Sequence, residues 1–132
     1  MIIKHLLAHK YFLFFLAFSW TMFIVILCLI DPTKDNIVSF SNADKVAHFS
    51  FYFLFVILWN RFLLVSNATI LKSKYAILFI AIFFGICIEL AQKIFTTTRQ
   101  ADILDVFANT LGAVLGFIIS NKFLNNNFNK IP

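Results

Sequence analysis

Charge, glycine, proline and cysteine are all scarce in this chain of 132 residues: 13% of the residues are charged, and there are 3 Gly, 2 Pro and 2 Cys. A soluble domain carries roughly a quarter of charged residues on its surface, so this composition excludes one. The shortage of Gly and Pro excludes collagen-like and low-complexity disordered chains. Two cysteines make no disulfide scaffold, and Cys28 and Cys87 both lie inside apolar runs, where the expectation is a buried small hydrophobe. Also missing is a basic stripe with interleaved aromatics. The 11 Lys and Arg against 6 Asp and Glu give a net charge of +5, but they stand singly or in pairs between apolar runs, so nucleic acid is not expected as a partner.

What is abundant is apolar bulk: 61% of the residues are hydrophobic and 19 are Phe. That surplus must face lipid. A membrane crossing needs ~20 residues, which leaves room for about four helices and short connections. The runs fall at about residues 11–30, 46–65, 75–92 and 103–123. The expected fold is all-α, a polytopic membrane protein with a four-helix transmembrane bundle, forming one domain over residues 1–132. The first run is longer than a signal-peptide core and lacks a small-residue cleavage site, so it reads as an uncleaved helix ended by Asp31-Pro32. The tail from Asn125 to Lys130 is polar and expected to fray.

Four crossings place both termini on one side. Putting them in the cytoplasm gives that side Lys4, Lys10, Arg61, Lys72, Lys74, Lys122 and Lys130, against Lys34, Lys45, Lys93 and Arg99 outside. The positive-inside rule therefore favours cytoplasmic termini, and the sequon Asn67-Ala68-Thr69 would then carry no glycan.

This arrangement gathers the polar residues. Asp44, Lys45 and His48 open the second helix; Glu89, Gln92 and Lys93 close the third; Arg99, Asp102, Asp105 and Asn109 lead into the fourth. All fall at the outer end, while the first run has no charged residue. Asp44, His48, Tyr52, Phe55 and Trp59 share a helical face, as do Gly85, Glu89 and Gln92, and as do Asp102, Asp105, Asn109, Gly112 and Gly116. Ionisable groups at membrane depth turn inward to a partner or a wet cavity. Glu89 lies ~21 Å above Tyr75 at 1.5 Å per residue, below the rim of a ~30 Å core. Two accounts of these residues stand side by side. Asp44 and Asp102 either cap helices or join a site; Glu89, Arg99 and Asp105 form either a structural ion network or a binding pocket. Lys93 reads as an interfacial anchor, and Gly112 and Gly116 as a close-packing surface within the bundle or between the subunits of a homo-oligomer.

The spaced set Asp44-Lys45-x-x-His48-Phe49 with Tyr52, then Glu89-x-x-Gln92, then Arg99-x-x-Asp102-x-x-Asp105-x-x-x-Asn109-x-x-Gly112-x-x-x-Gly116, resembles the VanZ-like family of small bacterial membrane proteins. The resemblance runs over about residues 40–120. It departs at Val56, where the family often has Gly, and at Thr97-Thr98, where a Pro-Gly turn often precedes the Arg. It implies a multi-pass protein of the bacterial plasma membrane, tied to envelope processes and glycopeptide resistance.

The leading functional expectation is a pocket for a polar lipid headgroup, a lipid-linked envelope precursor or an amphiphilic glycopeptide. Lys45, His48 and Arg99 would be its cationic contacts, with Asp44, Glu89, Gln92, Asp102, Asp105 and Asn109 as the other ligand-binding residues. The alternatives are an intramembrane enzyme with His48 or Glu89 as acid or base, a proton-coupled exporter, or a structural subunit of a membrane complex. The polar set has no Ser or Cys nucleophile and no His-Glu-x-x-His, so no metal or cofactor is expected.

Overall fold

The computed structural model describes residues 2–30, 43–66, 70–97 and 99–128, with side chains given for 9–30, 43–66, 75–97 and 99–122. Asp31-Pro32 as the end of the first helix, the 33–42 connection, the sequon at 67–69, Thr98, and the side chains of Lys72 and Lys74 lie outside them. Among the described residues the chain forms four helices and no strand: α1 (Ile2–Leu29), α2 (Ala43–Val65), α3 (Ile70–Phe95) and α4 (Ile103–Phe128). Each contains a stretch long and apolar enough to cross a membrane: His9–Leu29, Ala43–Val65, Tyr75–Phe95 and Ile103–Lys122. The protein is a multi-pass membrane protein. The helices outrun the apolar runs: α1, α2 and α3 begin before theirs, at Ile2, Ala43 and Ile70, α3 ends at Phe95, and α4 continues to Phe128 through the Asn-rich tail.

The centre of the bundle is α2. It touches every other helix, whereas α1 and α4 share no contact among the described residues. The most extensive seam joins α2 to α4, and glycine makes it. A Cβ at Gly112 would overlap the Phe49 carbonyl, and one at Gly116 would come within 2.6 Å of the Phe53 carbonyl oxygen. Only hydrogen at these two positions lets α4 lie directly on the α2 main chain. The Gly112-Gly116 face is thus spent inside the bundle. Val56, fully buried, packs beside Gly116.

The remaining contacts are aromatic and indole-based. Tyr52 and Phe55 of α2 meet Phe84 of α3 with ring centroids 5.8 and 5.6 Å apart, and Tyr75 meets Phe117 across α3 and α4 at 5.3 Å. The first helix is held by polar hooks. Trp20 Nε1 donates to the Phe51 carbonyl at 3.0 Å, Trp59 Nε1 donates to Thr21 Oγ1 at 3.2 Å, and Gln92 Nε2 donates to the Cys28 carbonyl at 3.0 Å. Since lipid is as apolar as leucine, greasy side chains on α1 gain little by turning inward, and such hooks set its rotation. Cys28 is buried as expected, but Cys87 is exposed: it stands two residues before Glu89, about 200° round α3 from the face that Glu89 and Gln92 turn inward, so residue type misleads where the helical face does not. Phe12, Phe15, Phe79, Phe83 and Phe107 are exposed bulk, yet Phe55 is core.

Candidate functional site

Antiparallel packing brings the C-terminal end of α3 and the N-terminal ends of α2 and α4 together at one end of the bundle. There, His48, Glu89, Asn109 and Asp105 are almost entirely removed from the surface at 1, 2, 1 and 5% exposure. His48 is the hub. Its Nδ1 lies 3.0 Å from Asn109 Oδ1 and 3.3 Å from Glu89 Oε1, so α2, α4 and α3 each give one member. Two oxygens stand at Nδ1, an arrangement that a ring proton on that nitrogen satisfies, and Nε2 faces Asp44 Oδ1 at 3.9 Å.

The close approach of α3 depends on Gly85, where an added Cβ would meet the Cβ of Asn109 at 3.1 Å. Around the hub lies a second ring of charge. Lys45 Nζ bridges Asp102 Oδ2 at 3.1 Å and Asp105 Oδ1 at 3.4 Å, tying α2 to the start of α4. Asp102 also caps α4, accepting the Leu104 N–H at 2.9 Å, while its own N–H donates to Glu89 Oε2 at 3.4 Å. Its carboxyl is held below the usual range, first by the Leu104 N–H and then by Lys45. Asp44, in the first turn of α2, stands 4.0 Å from Arg99 Nη1. Asp102 thus caps α4 and at the same time pairs with Lys45.

The polar set does not all point to one place. Arg99 and Lys45 are partly open, with side-chain exposures of 28 and 32%, and form the rim. His48, expected as a third cationic contact, belongs to the interior. Gln92 turns to α1 and takes the Cys28 carbonyl, one of the unpaired acceptors at that helix end. Lys93 is exposed, away from the cluster's hydrogen bonds. Thr96 closes the end of α3, donating to the Gln92 carbonyl at 2.7 Å. The sequence reading passed over it because a lone Thr after an apolar run carries no signal. Tyr52 Oη, Glu89 Oε1 and Asn109 Nδ2 are buried without a hydrogen-bond partner, so the interior retains polar capacity that the protein itself leaves unused. One donor atom each from Asp44, His48 and Asp105 falls within 4.8 Å of the others, which is a spacing a cation could close.

A small membrane bundle with a buried His–Glu–Asn hub at one end and two half-open cations above it defines the class. A model of the VanZ/LLP1 family matches residues 5–124, nearly the whole chain, and the protein belongs to that family. No curated protein and no solved structure matches it.

Proposed function

We propose that this protein is an envelope membrane protein that binds the anionic headgroup of a lipid, a polyprenyl phosphate or similar lipid-linked intermediate, at the end of the bundle where α2, α3 and α4 converge. The observation that carries the reading is the rim: Arg99 and Lys45 are half-open cations above a fixed set of acids. Among the described residues the Arg99 guanidinium meets Asp44 at 4.0 Å, too long for a hydrogen bond, which leaves donors for phosphate oxygens. Lys45, tied to two carboxylates, supplies field more than contact. Under this proposal the rim stands at the membrane surface, where a molecule with an apolar tail in the acyl region and a charged head in water would meet it.

In this reading the rim faces the outside of the bacterial plasma membrane and both termini face the cytoplasm, as the Lys and Arg distribution favours. An impermeant thiol reagent added from outside should label Thr97→Cys and not Ser73→Cys. The binding test uses a photoreactive polyprenyl phosphate in proteoliposomes. Arg99→Gln should lose crosslinking while melting in detergent as the wild type does, because a half-open position rehydrates. Equal crosslinking by both proteins overturns the reading. An amphiphilic glycopeptide as competitor and an assay for released phosphate run on the same preparations test the peptide-binding and enzymatic alternatives.

A further inference from the structure

The charges of the cluster do not balance. Four carboxylates, Asp44, Glu89, Asp102 and Asp105, stand within contact distance of the other members, against two permanent cations, Lys45 and Arg99. Formally two negative charges are left over: the side chains of Asp44 and Asp102 are 59 and 39% exposed and stay solvated, whereas Glu89 and Asp105 are buried at 2 and 5%. Charge on the two buried carboxyls is costly, and it is relieved either by a proton or by a cation beside them.

The geometry shows where the missing charge belongs. His48 directs Nδ1 to Asn109 Oδ1 and Glu89 Oε1; with the ring proton on that nitrogen, the Nε2 lone pair faces outward. The partner that Nε2 faces is another acceptor, Asp44 Oδ1 at 3.9 Å, and Asp105 completes a trio whose donor atoms all lie within 4.8 Å of one another. Lone pairs facing one another across a gap are what a cation joins. Behind the ring, Glu89 Oε1 is buried with no hydrogen bond of its own and lies 3.3 Å from Nδ1. A metal-bound histidine commonly has this support on its second nitrogen, where a carboxylate or amide oxygen fixes the tautomer and raises the ring's basicity.

We infer that Asp44 and His48 of α2 and Asp105 of α4 bind one divalent metal ion, with Asn109 and Glu89 orienting the imidazole. One imidazole nitrogen and two carboxylate oxygens suit an ion of intermediate hardness, Mn²⁺ or Zn²⁺. Ligand atoms about 2.0–2.2 Å from an ion sit roughly 3–3.5 Å apart, so the trio must draw in slightly. Asp44, with 59% of its side chain exposed, is free to make that movement. Asp44 and His48 are one helical turn apart, but the third ligand comes from another helix, so no contiguous motif announces the site. The ion goes beyond the headgroup reading and does not depend on it, since the site is complete without lipid.

The test is titration of the metal-free protein, purified in detergent, with Mn²⁺ and with Zn²⁺, followed by calorimetry and, for Mn²⁺, by loss of the free-ion paramagnetic signal. The expected result is one equivalent bound by wild type and at least a ten-fold weaker affinity in Asp44→Asn and His48→Gln. Lys93→Gln, at the same end but outside the cluster, should bind as wild type does. Asn109→Ala should weaken binding by about ten-fold through the lost orientation of the ring. If His48→Gln fails to fold, Asp44→Asn decides, because its exposed side chain takes no part in core packing. Absence of saturable binding to wild type, or equal binding by Asp44→Asn and wild type, overturns the inference.

Discussion

The seam between α2 and α4 and the seat of α1 are built on opposite terms. At the first, two glycines bring main chains into contact and Lys45 fastens the helix ends, so position and rotation are both set by residues that tolerate no replacement in kind. At the second, a helix whose outer surface is Phe, Leu and Ile is held, among the described residues, by three hydrogen bonds, two of them from indoles, and by ring contacts of Phe14, Trp20 and Phe23 with α2. In lipid, burying an apolar residue against another gains little over leaving it among acyl chains. Shape and polar pairing therefore specify the helices that build the site, and bulk hydrophobicity merely keeps α1 in the membrane.

The contrast can be broken most severely at the hub. His48→Leu leaves Glu89 and Asn109 buried without their common partner, and a cost of ~3–5 kcal/mol is expected, read as a large fall in melting temperature in detergent. Gly112→Ala tests the seam itself. Its methyl group would overlap the Phe49 carbonyl, so α4 must move off α2 at ~1–3 kcal/mol, and helix-pair distances measured by spin labels should lengthen. Equal stability for this variant and wild type would remove the distinction between the two regions. Trp59→Phe, which cuts the bond to Thr21, should cost only about 0.6 kcal/mol.

The smallest effect belongs to Asp102. Its folded carboxyl titrates below the unfolded one, whose pKa is ~3.9, so its contribution is full above that value and is lost as pH falls through the lowered folded value. The melting difference between wild type and Asp102→Asn should thus be flat at neutral pH and close only in acid. A difference that instead closes as pH rises would contradict the hydrogen bonds from Leu104 and Lys45.

Much of this was legible in the letters. Runs of apolar residues gave the four helices, and steps of three and four gave the faces on which His48, Glu89, Asp105 and Asn109 meet. The rest was hidden for a physical reason. Residue type alone misleads where the rotation set by polar neighbours decides: Cys87 reads as a buried small hydrophobe yet lies opposite Glu89 and Gln92 and faces lipid, while Phe55, one Phe among many, turns in with His48. Depth was equally opaque: Arg99 and His48 read alike as cations, and only the approach of α3 at Gly85 makes one of them rim and the other interior.

The hooks on α1 have a consequence for the history of the chain. Trp20 and Gln92 donate to the carbonyls of Phe51 and Cys28, and every residue supplies a carbonyl. Substitutions at positions 28 and 51 can therefore accumulate without unfastening the helix, provided that the indole and the amide persist. On α1, position 28 can vary while Trp20 and Thr21 hold the helix in its seat, whereas Gly112, whose neighbour is main chain rather than a replaceable side chain, offers selection no compensating change.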